Sequence, residues 1–213
     1  MTSVPAAVPE PWGHNAHYYP AVLRAAPAGC ERALDVGCGQ GALTRLLSGA
    51  VPHVTGVDRD ERSIEIARGH HGGAGIAYLV GDFFDIPLED GSLDLVASVA
   101  ALHHMEQREA LRRMAALLRP GGVLAVIGLA RIGSPADLIR EIPAQAGYRL
   151  HRVVSARAMR AGQVASSGYT SPVVWPPPLT YGQTRELARS VLPGVRFRSL
   201  LYWRYSLMWS KPA

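Results

Sequence analysis

Ala33-Leu34-Asp35-Val36-Gly37-Cys38-Gly39-Gln40-Gly41 is the stretch that decides how this chain is read. An apolar run closes on Asp35 and passes straight into Gly37, Gly39 and Gly41, and the amphipathic stretch Ala42-Leu43-Thr44-Arg45-Leu46-Leu47 follows. Strand, tight turn and helix start in succession bring backbone up to a ligand at the carboxyl edge of a parallel sheet. Glycine suits such a turn because a Cβ would block either the turn or the approach of the ligand. Asp58 ends a second apolar run, His53-Val54-Thr55-Gly56-Val57, where a carboxylate can accept both hydroxyls of a ribose. Together the two stretches indicate a nucleoside cofactor.

The glycines by themselves leave two cofactors open. Gly37, Gly39 and Ala42 satisfy a loose dinucleotide pattern, which keeps an NAD(P)-dependent oxidoreductase among the readings. A dinucleotide would set its pyrophosphate against these glycines, where Asp35 opposes it with like charge. Asp35 suits an ammonium group instead, such as the one on the methionine end of S-adenosylmethionine. The Asp-x-Gly-x-Gly-x-Gly run is followed in order by Asp58, Gly81-Asp82-Phe83 and Leu118-Arg119-Pro120-Gly121-Gly122-Val123-Leu124. This series resembles the class I S-adenosylmethionine-dependent methyltransferases over roughly residues 12–128. Arg204-Tyr205-Ser206-Leu207-Met208-Trp209-Ser210-Lys211-Pro212 is similar to endings of small bacterial members.

The resemblance implies a Rossmann-like α/β fold, a doubly wound and mostly parallel sheet of seven strands in the order 3-2-1-4-5-7-6, with the last strand antiparallel. It also assigns parts to residues. Gly37, Cys38, Gly39 and Gly41 would admit the methionine and ribose portions of S-adenosylmethionine, and Asp35 would meet the ammonium. Asp58 would take the ribose hydroxyls, Arg59 would lie along the adenine, and Asp82 with the Phe83 amide would read the adenine edge. Val99 completes the set at the end of the fourth strand. Blander roles compete at two positions: Asp58 as a helix cap near Asp60, and Asp82 as the brace of a turn.

His103 and His104 follow the fourth strand, where a doubly wound sheet opens toward its ligand. An imidazole there can take a proton from a hydroxyl or amine acceptor, an effect commonly worth about 10²–10⁴-fold. His104 is the first candidate base and His103 the second; ring packing, or capping of the helix near Glu106, is the alternative for each. Methyl transfer from a sulfonium is an in-line displacement that requires no metal, and none is expected. Trp12, His14, His17, Tyr18 and Tyr19 crowd a short polar arm and are expected to form a lid over cofactor and acceptor.

Composition narrows the partners. The chain has 213 residues, a formal charge of +5 and only two cysteines, Cys30 and Cys38, without metal-knuckle spacing. Lys211 is the only lysine, and the arginines are scattered without a run, which weighs against nucleic acid and favours a small-molecule acceptor. No Asn-Pro-Pro-Tyr or Pro-Cys run of the kind used on nucleobases occurs. No apolar run approaches the ~18 residues of a membrane span, and the first residues do not read as a secretion signal. A cytoplasmic location is the expectation. A non-catalytic module that merely retains cofactor is a further alternative.

Alternating patterns place strands at 31–36, 53–58, 76–81, 93–99 and 122–128, with helices at 42–49, 60–69 and 106–118. Residues 195–203 and 205–209 read as a closing pair of strands, and 135–141 and 180–191 as helical. One domain over 1–213 results. Residues 1–30 form the arm or lid, 31–129 the cofactor-binding core, 130–193 an acceptor-site insertion and 194–213 a C-terminal β-hairpin. Within the insertion Tyr148, Met159, Tyr169, Trp175 and Tyr181 are candidate walls.

Overall fold

Near-continuous apolar runs become the central strands. In the computed structural model, which describes residues 15–135, 137 and 175–212, β1 (Arg32–Val36) and β4 (Leu93–Val99) are buried along almost their whole length. That is the signature of strands covered on both faces. β2 (His53–Asp58) and β3 (Ile76–Val80) extend the sheet on one side. β5 (Leu118–Leu129), β6 (Arg196–Ser199) and β7 (Arg204–Ser210) extend it on the other. The order is β3-β2-β1-β4-β5-β7-β6. Pairings from β3 through β5 are parallel, and β7 runs antiparallel to both β5 and β6. Fold class, strand order and the antiparallel last strand are as the sequence predicted.

Helices cover both faces. One apolar layer takes Leu34, Val36 and Val96 from the sheet and packs them on Leu111, Met114 and Leu117 of α4 (Gln107–Leu117) and on Tyr181 and Ala188 of α5 (Tyr181–Val191). The opposite layer sets Ala33, Val54, Leu95 and Ile127 against Val22 of α1 (Tyr19–Leu23) and Leu43 and Leu47 of α2 (Ala42–Leu47). α3 (Glu61–His71) adds Ile64 and Ala67 against Tyr78. Local chemistry sets the starts of these helices. Asp60 accepts from Ser63 N at the start of α3, Glu106 accepts from Arg108 N and Glu109 N at the start of α4, and Thr180 with Gln183 forms a capping box at α5.

Two strand boundaries differ from expectation by more than one residue. β5 begins at Leu118 rather than 122, because Leu118 pairs with Leu93 before a register break that resumes at Leu95 and Val123. Arg119–Gly122 is the extra length taken up by that irregularity. Asp94 anchors it by accepting from Glu31 N and Arg32 N at 2.8 Å each and from Arg119 Nε. β6 stops at Ser199 rather than 203, because Tyr202 and Trp203 adopt φ of 62° and 57° and turn the chain into β7. The helical pattern at 135–141, together with Tyr148, Met159 and Tyr169, lies in or largely in the part outside the described residues.

Candidate functional site

Every predicted cofactor residue falls along the carboxyl edge of β1–β4. β1 ends at Val36, and the Gly37 and Cys38 amides turn back to donate to Val57 O of β2 at 2.8 and 3.0 Å. The chain then reaches α2 through Gly41, whose φ of 84° only glycine adopts without strain. The three glycines are not equivalent. A Cβ on Gly37 would lie 2.2 Å from Ala101 Cβ, and one on Gly41 would lie 2.4 Å from Tyr78 Oη. A Cβ on Gly39 would meet nothing within 4 Å. Gly37 and Gly41 are therefore required by packing within the protein, whereas Gly39 faces open space.

Asp58 holds this loop. Its Oδ2 accepts from Gly39 N at 2.8 Å and its Oδ1 accepts from Asp60 N at 2.9 Å. Each carboxylate oxygen keeps a second lone-pair direction in which to accept a ribose hydroxyl. The cap of α3 is Asp60, so Asp58 is not spent there. Its two hydrogen bonds from backbone amides fix the carboxylate beside the one of the three loop glycines that faces open space.

Asp35 lies beneath the loop and is 1% exposed. Thr44 Oγ1, in the first turn of α2, donates to Asp35 Oδ2 at 2.7 Å. Burial raises the Asp35 carboxyl from 3.8 to about 7, with the Thr44 hydrogen bond opposing that rise and the nearby Asp58 charge adding to it. Such a group waits for a positive charge, since a cation beside it would restore ionisation. Burial and the same two carboxylates also raise the Cys38 thiol strongly, leaving it a neutral packing group. Gly56 makes room for the arrangement, because a Cβ there would lie 2.9 Å from Cys38 Sγ, Thr44 Oγ1 and Tyr78 Cδ1 alike. Thr44, Tyr78 and Gly56 were not singled out from sequence. The signal for Thr44 was its place one helical step beyond the last loop glycine.

Asp82 is exposed after β3 and its Oδ1 accepts from Phe84 N at 2.9 Å, so it braces the turn as the blander reading held. The Phe83 ring belongs to the core, with Arg113 holding the Phe83 carbonyl at 2.9 Å and lying 5.3 Å over the ring. Only the Phe83 backbone is left to face a base. Arg59 is exposed and lies near enough to His104 for its charge to act there. Val99 is half-buried at the end of β4, and Ala100 beyond it takes φ of 55°.

That bend delivers the histidines on a single 3₁₀ turn, Leu102–His104, with Leu102 in the core. Their ring centroids are 4.1 Å apart. Glu106 caps α4 with its own side chain, so neither imidazole serves that purpose. His103 is 6% exposed and its Nδ1 has no hydrogen-bond partner among the described residues. Burial, then His104 and Arg204, lowers its pKa to about 4. His104 is half-buried; burial and Arg59 lower its pKa, against the Asp58 charge. Both rings are neutral near pH 7, the form that can take a proton.

The arm contributes in unequal ways. Tyr18 is buried in the α1–α2 layer and its hydroxyl donates to Leu201 O at 3.1 Å, while Tyr19 packs against the same layer. His17 is exposed with its ring edge-on to Tyr18 at 4.8 Å. Trp12 and His14 lie outside the described residues. Asn15, not anticipated, accepts from Arg204 Nη2 at 2.7 Å. Of the expected walls, Tyr181 is core, and Trp175 is exposed with its ring 5.6 Å from Trp203. Among the described residues no group of three metal-binding side chains comes together, and no helix is long and apolar enough to cross a membrane.

The residues present fit S-adenosylmethionine: an open glycine, a fixed carboxylate for a ribose and a buried carboxyl that gains from a cation. Comparisons with known proteins agree. The family model described as a methyltransferase domain matches residues 34–126. An uncharacterized methyltransferase of Mycobacterium tuberculosis is 34% identical over 205 residues, 95% of this chain and 98% of that protein. A ubiquinone biosynthesis O-methyltransferase of Bordetella avium is 36% identical over 99 residues, 43% of this chain and 40% of its own. The N-methyltransferase NodS from Bradyrhizobium japonicum, in complex with S-adenosyl-L-homocysteine, shares the fold with a TM-score of 0.59 at 17% identity, covering 93% of this chain and 87% of that one. The dinucleotide reading of Gly37, Gly39 and Ala42 is thereby overturned. By its loop, its sheet and its relatives, the chain belongs to the class I S-adenosylmethionine-dependent methyltransferases.

Proposed function

We propose that this methyltransferase acts on a hydroxyl or amine of a small-molecule acceptor, and that His104 takes the acceptor's proton. The observation that carries the proposal is the 3₁₀ turn after β4, which sets a half-buried, neutral imidazole at the carboxyl edge within reach of the fields of Asp58 and Arg59. When bound, S-adenosylmethionine supplies a methyl group made electrophilic by its sulfonium. The work left to the protein is to hold the acceptor in line and to accept a proton. In this reading Asp58 and the Gly39 region hold the ribose, Asp35 balances the positive charge of the cofactor, and the Asp82-Phe83 turn reads the adenine. His103, the more buried of the two, is the second candidate for proton acceptor. An arm that covers the acceptor and an acceptor-site insertion over residues 130–193 complete this reading. The names of the partial relatives, such as the ubiquinone biosynthesis O-methyltransferase, favour oxygen over nitrogen.

The test uses tritium-labelled methyl transfer from S-adenosylmethionine to a panel of phenols and benzylamines, with calorimetric titration of S-adenosylhomocysteine alongside. His104→Ala is expected to lose about 10²–10⁴-fold in transfer rate while the calorimetric affinity is unchanged. A variant that retains the full rate removes His104 from the proton path.

A further inference from the structure

We infer that Arg204 and His103 form an anion subsite in the acceptor pocket, so that the acceptor carries an oxyanion, a carboxylate or phenolate, rather than a cation. The inference rests on the reading above that a small-molecule acceptor binds at this edge. It adds the charge of that acceptor and the residues that recognise it.

Arg204 is the first residue of β7 and pairs with Leu129 at the carboxyl end of β5, so it stands on the same edge as the histidine turn. It is 8% exposed. Its Nη1 donates to Tyr202 O at 2.8 Å and its Nη2 donates to Asn15 Oδ1 at 2.7 Å. A buried guanidinium is costly to keep out of water, and an apolar side chain would serve packing alone at least as well. Position therefore points to recognition. The Asn15 amide oxygen occupies one donor direction of the guanidinium, the place that a carboxylate or phenolate oxygen would take with a stronger, charge-assisted bond. His103 Nδ1, buried and without a partner among the described residues, offers the second contact, donating as the Nδ1–H tautomer. The two groups share one neighbourhood, since the guanidinium is among the charges that depress protonation of His103. The turn before β7 fixes the guanidinium: Tyr202, whose carbonyl accepts from Arg204, and Trp203 after it both adopt positive φ.

Charge decides which acceptors gain. An alkyl amine arrives as a cation at neutral pH and meets a guanidinium that repels it. A phenolate or carboxylate enters with the opposite sign and exchanges a neutral amide oxygen for its own. Asn15 immediately precedes the 3₁₀ turn Ala16–Tyr18, so the exchange needs only its side chain to leave the guanidinium.

The test uses the full chain saturated with S-adenosylhomocysteine and titrated with benzoate, 4-nitrophenol or benzylamine, by calorimetry and by the absorbance of the nitrophenolate. Benzoate or nitrophenolate is expected to bind and benzylamine not. Arg204→Met is expected to weaken the anion about tenfold or more with S-adenosylhomocysteine affinity retained, and Asn15→Ala, which removes the competing oxygen, to tighten it. Binding of benzoate alone assigns the subsite to a carboxylate. Binding of nitrophenolate alone, with its ionisation displaced to lower pH, assigns it to a phenolate. If neither anion binds, or benzylamine binds as well as they do, the subsite is refuted while the methyltransferase reading stands. Failure of S-adenosylhomocysteine to bind the unaltered chain would defeat that underlying reading instead. Should Arg204→Met lose S-adenosylhomocysteine, Asn15→Ala decides: unchanged or weaker anion binding overturns the subsite.

Discussion

Replacing Asp35 by Asn should make the cofactor-free protein more stable at pH 8, and much less so at pH 4.5. Asp35 is 1% exposed and its carboxyl is displaced by burial from 3.8 to about 7. Between those values the native state holds a proton that the unfolded chain has released, so stability falls as pH rises through that window and levels off above pH 7. At ~1.4 kcal/mol for each pH unit, the full displacement costs about 4 kcal/mol at pH 8, of which only about 1 kcal/mol has been incurred by pH 4.5. Asparagine mimics the protonated carboxyl and still accepts from Thr44 Oγ1, which now donates to Asp35 at 2.7 Å. Urea unfolding of both proteins at the two pH values, read by fluorescence and circular dichroism, gives the comparison directly. The gain from Asp35→Asn should shrink about fourfold between pH 8 and pH 4.5, and calorimetry should show weakened S-adenosylmethionine binding by the variant. Equal gains at both pH values would sink the reasoning, because the benefit would not then come from the buried charge. A variant less stable than the parent at pH 8 would do the same.

Other substitutions separate packing from binding. Gly41→Ala drives a Cβ into Tyr78 Oη at 2.4 Å in a residue with φ of 84°; the left-handed backbone costs roughly 1–2 kcal/mol and the clash about 1–3 kcal/mol more. Gly39→Ala, with φ of 51° and nothing near, should lose only the backbone portion in urea unfolding, yet abolish calorimetric binding of S-adenosylhomocysteine. Preserved binding by Gly39→Ala would show that its open side does not face the ligand. Tyr205→Phe removes a fully buried hydroxyl that has no partner among the described residues, and should raise stability by about 1–3 kcal/mol in the same assay. A loss of stability would mean that the hydroxyl makes a favourable bond.

Much of this fold is written in short-range pattern. The glycines at 37, 39 and 41 all adopt positive φ, as a turn from strand to helix demands. Asp58 meets the loop because β1 and β2 are parallel neighbours and both end at the same edge. What was not legible came from distance. Arg204 and Asn15 are 189 positions apart and meet only because β7 folds back between β5 and β6. The early start of β5 depends on Leu118 finding Leu93 across a register break, which no run of hydrophobicity announces. Tyr202 and Trp203 read as strand residues by type, and their positive φ follows from the reversal between β6 and β7 rather than from intrinsic preference. Asp35 was legible as acidic and near the ligand, but its depth beneath the loop was not.

The antiparallel β7 also has a consequence for how the molecule comes to be folded. Val123–Leu129 of β5 bond to Arg204–Ser210, the last strand in chain order. Until that strand is available, β5 presents a long, apolar, unpaired edge of the kind that recruits strands from other chains. Of the other pairings the widest, Ala33 with Leu95, spans 62 positions, whereas this closing step must bring together residues some eighty positions apart, from Val126 to Leu207 for example. The vulnerable interval for aggregation is therefore the time between collapse of the first five strands and docking of the seventh. Anything that loosens β7 in the finished protein, such as Trp209→Ala with its hydrogen bond to Pro193 O, would reopen the same adhesive edge in a molecule that is otherwise complete.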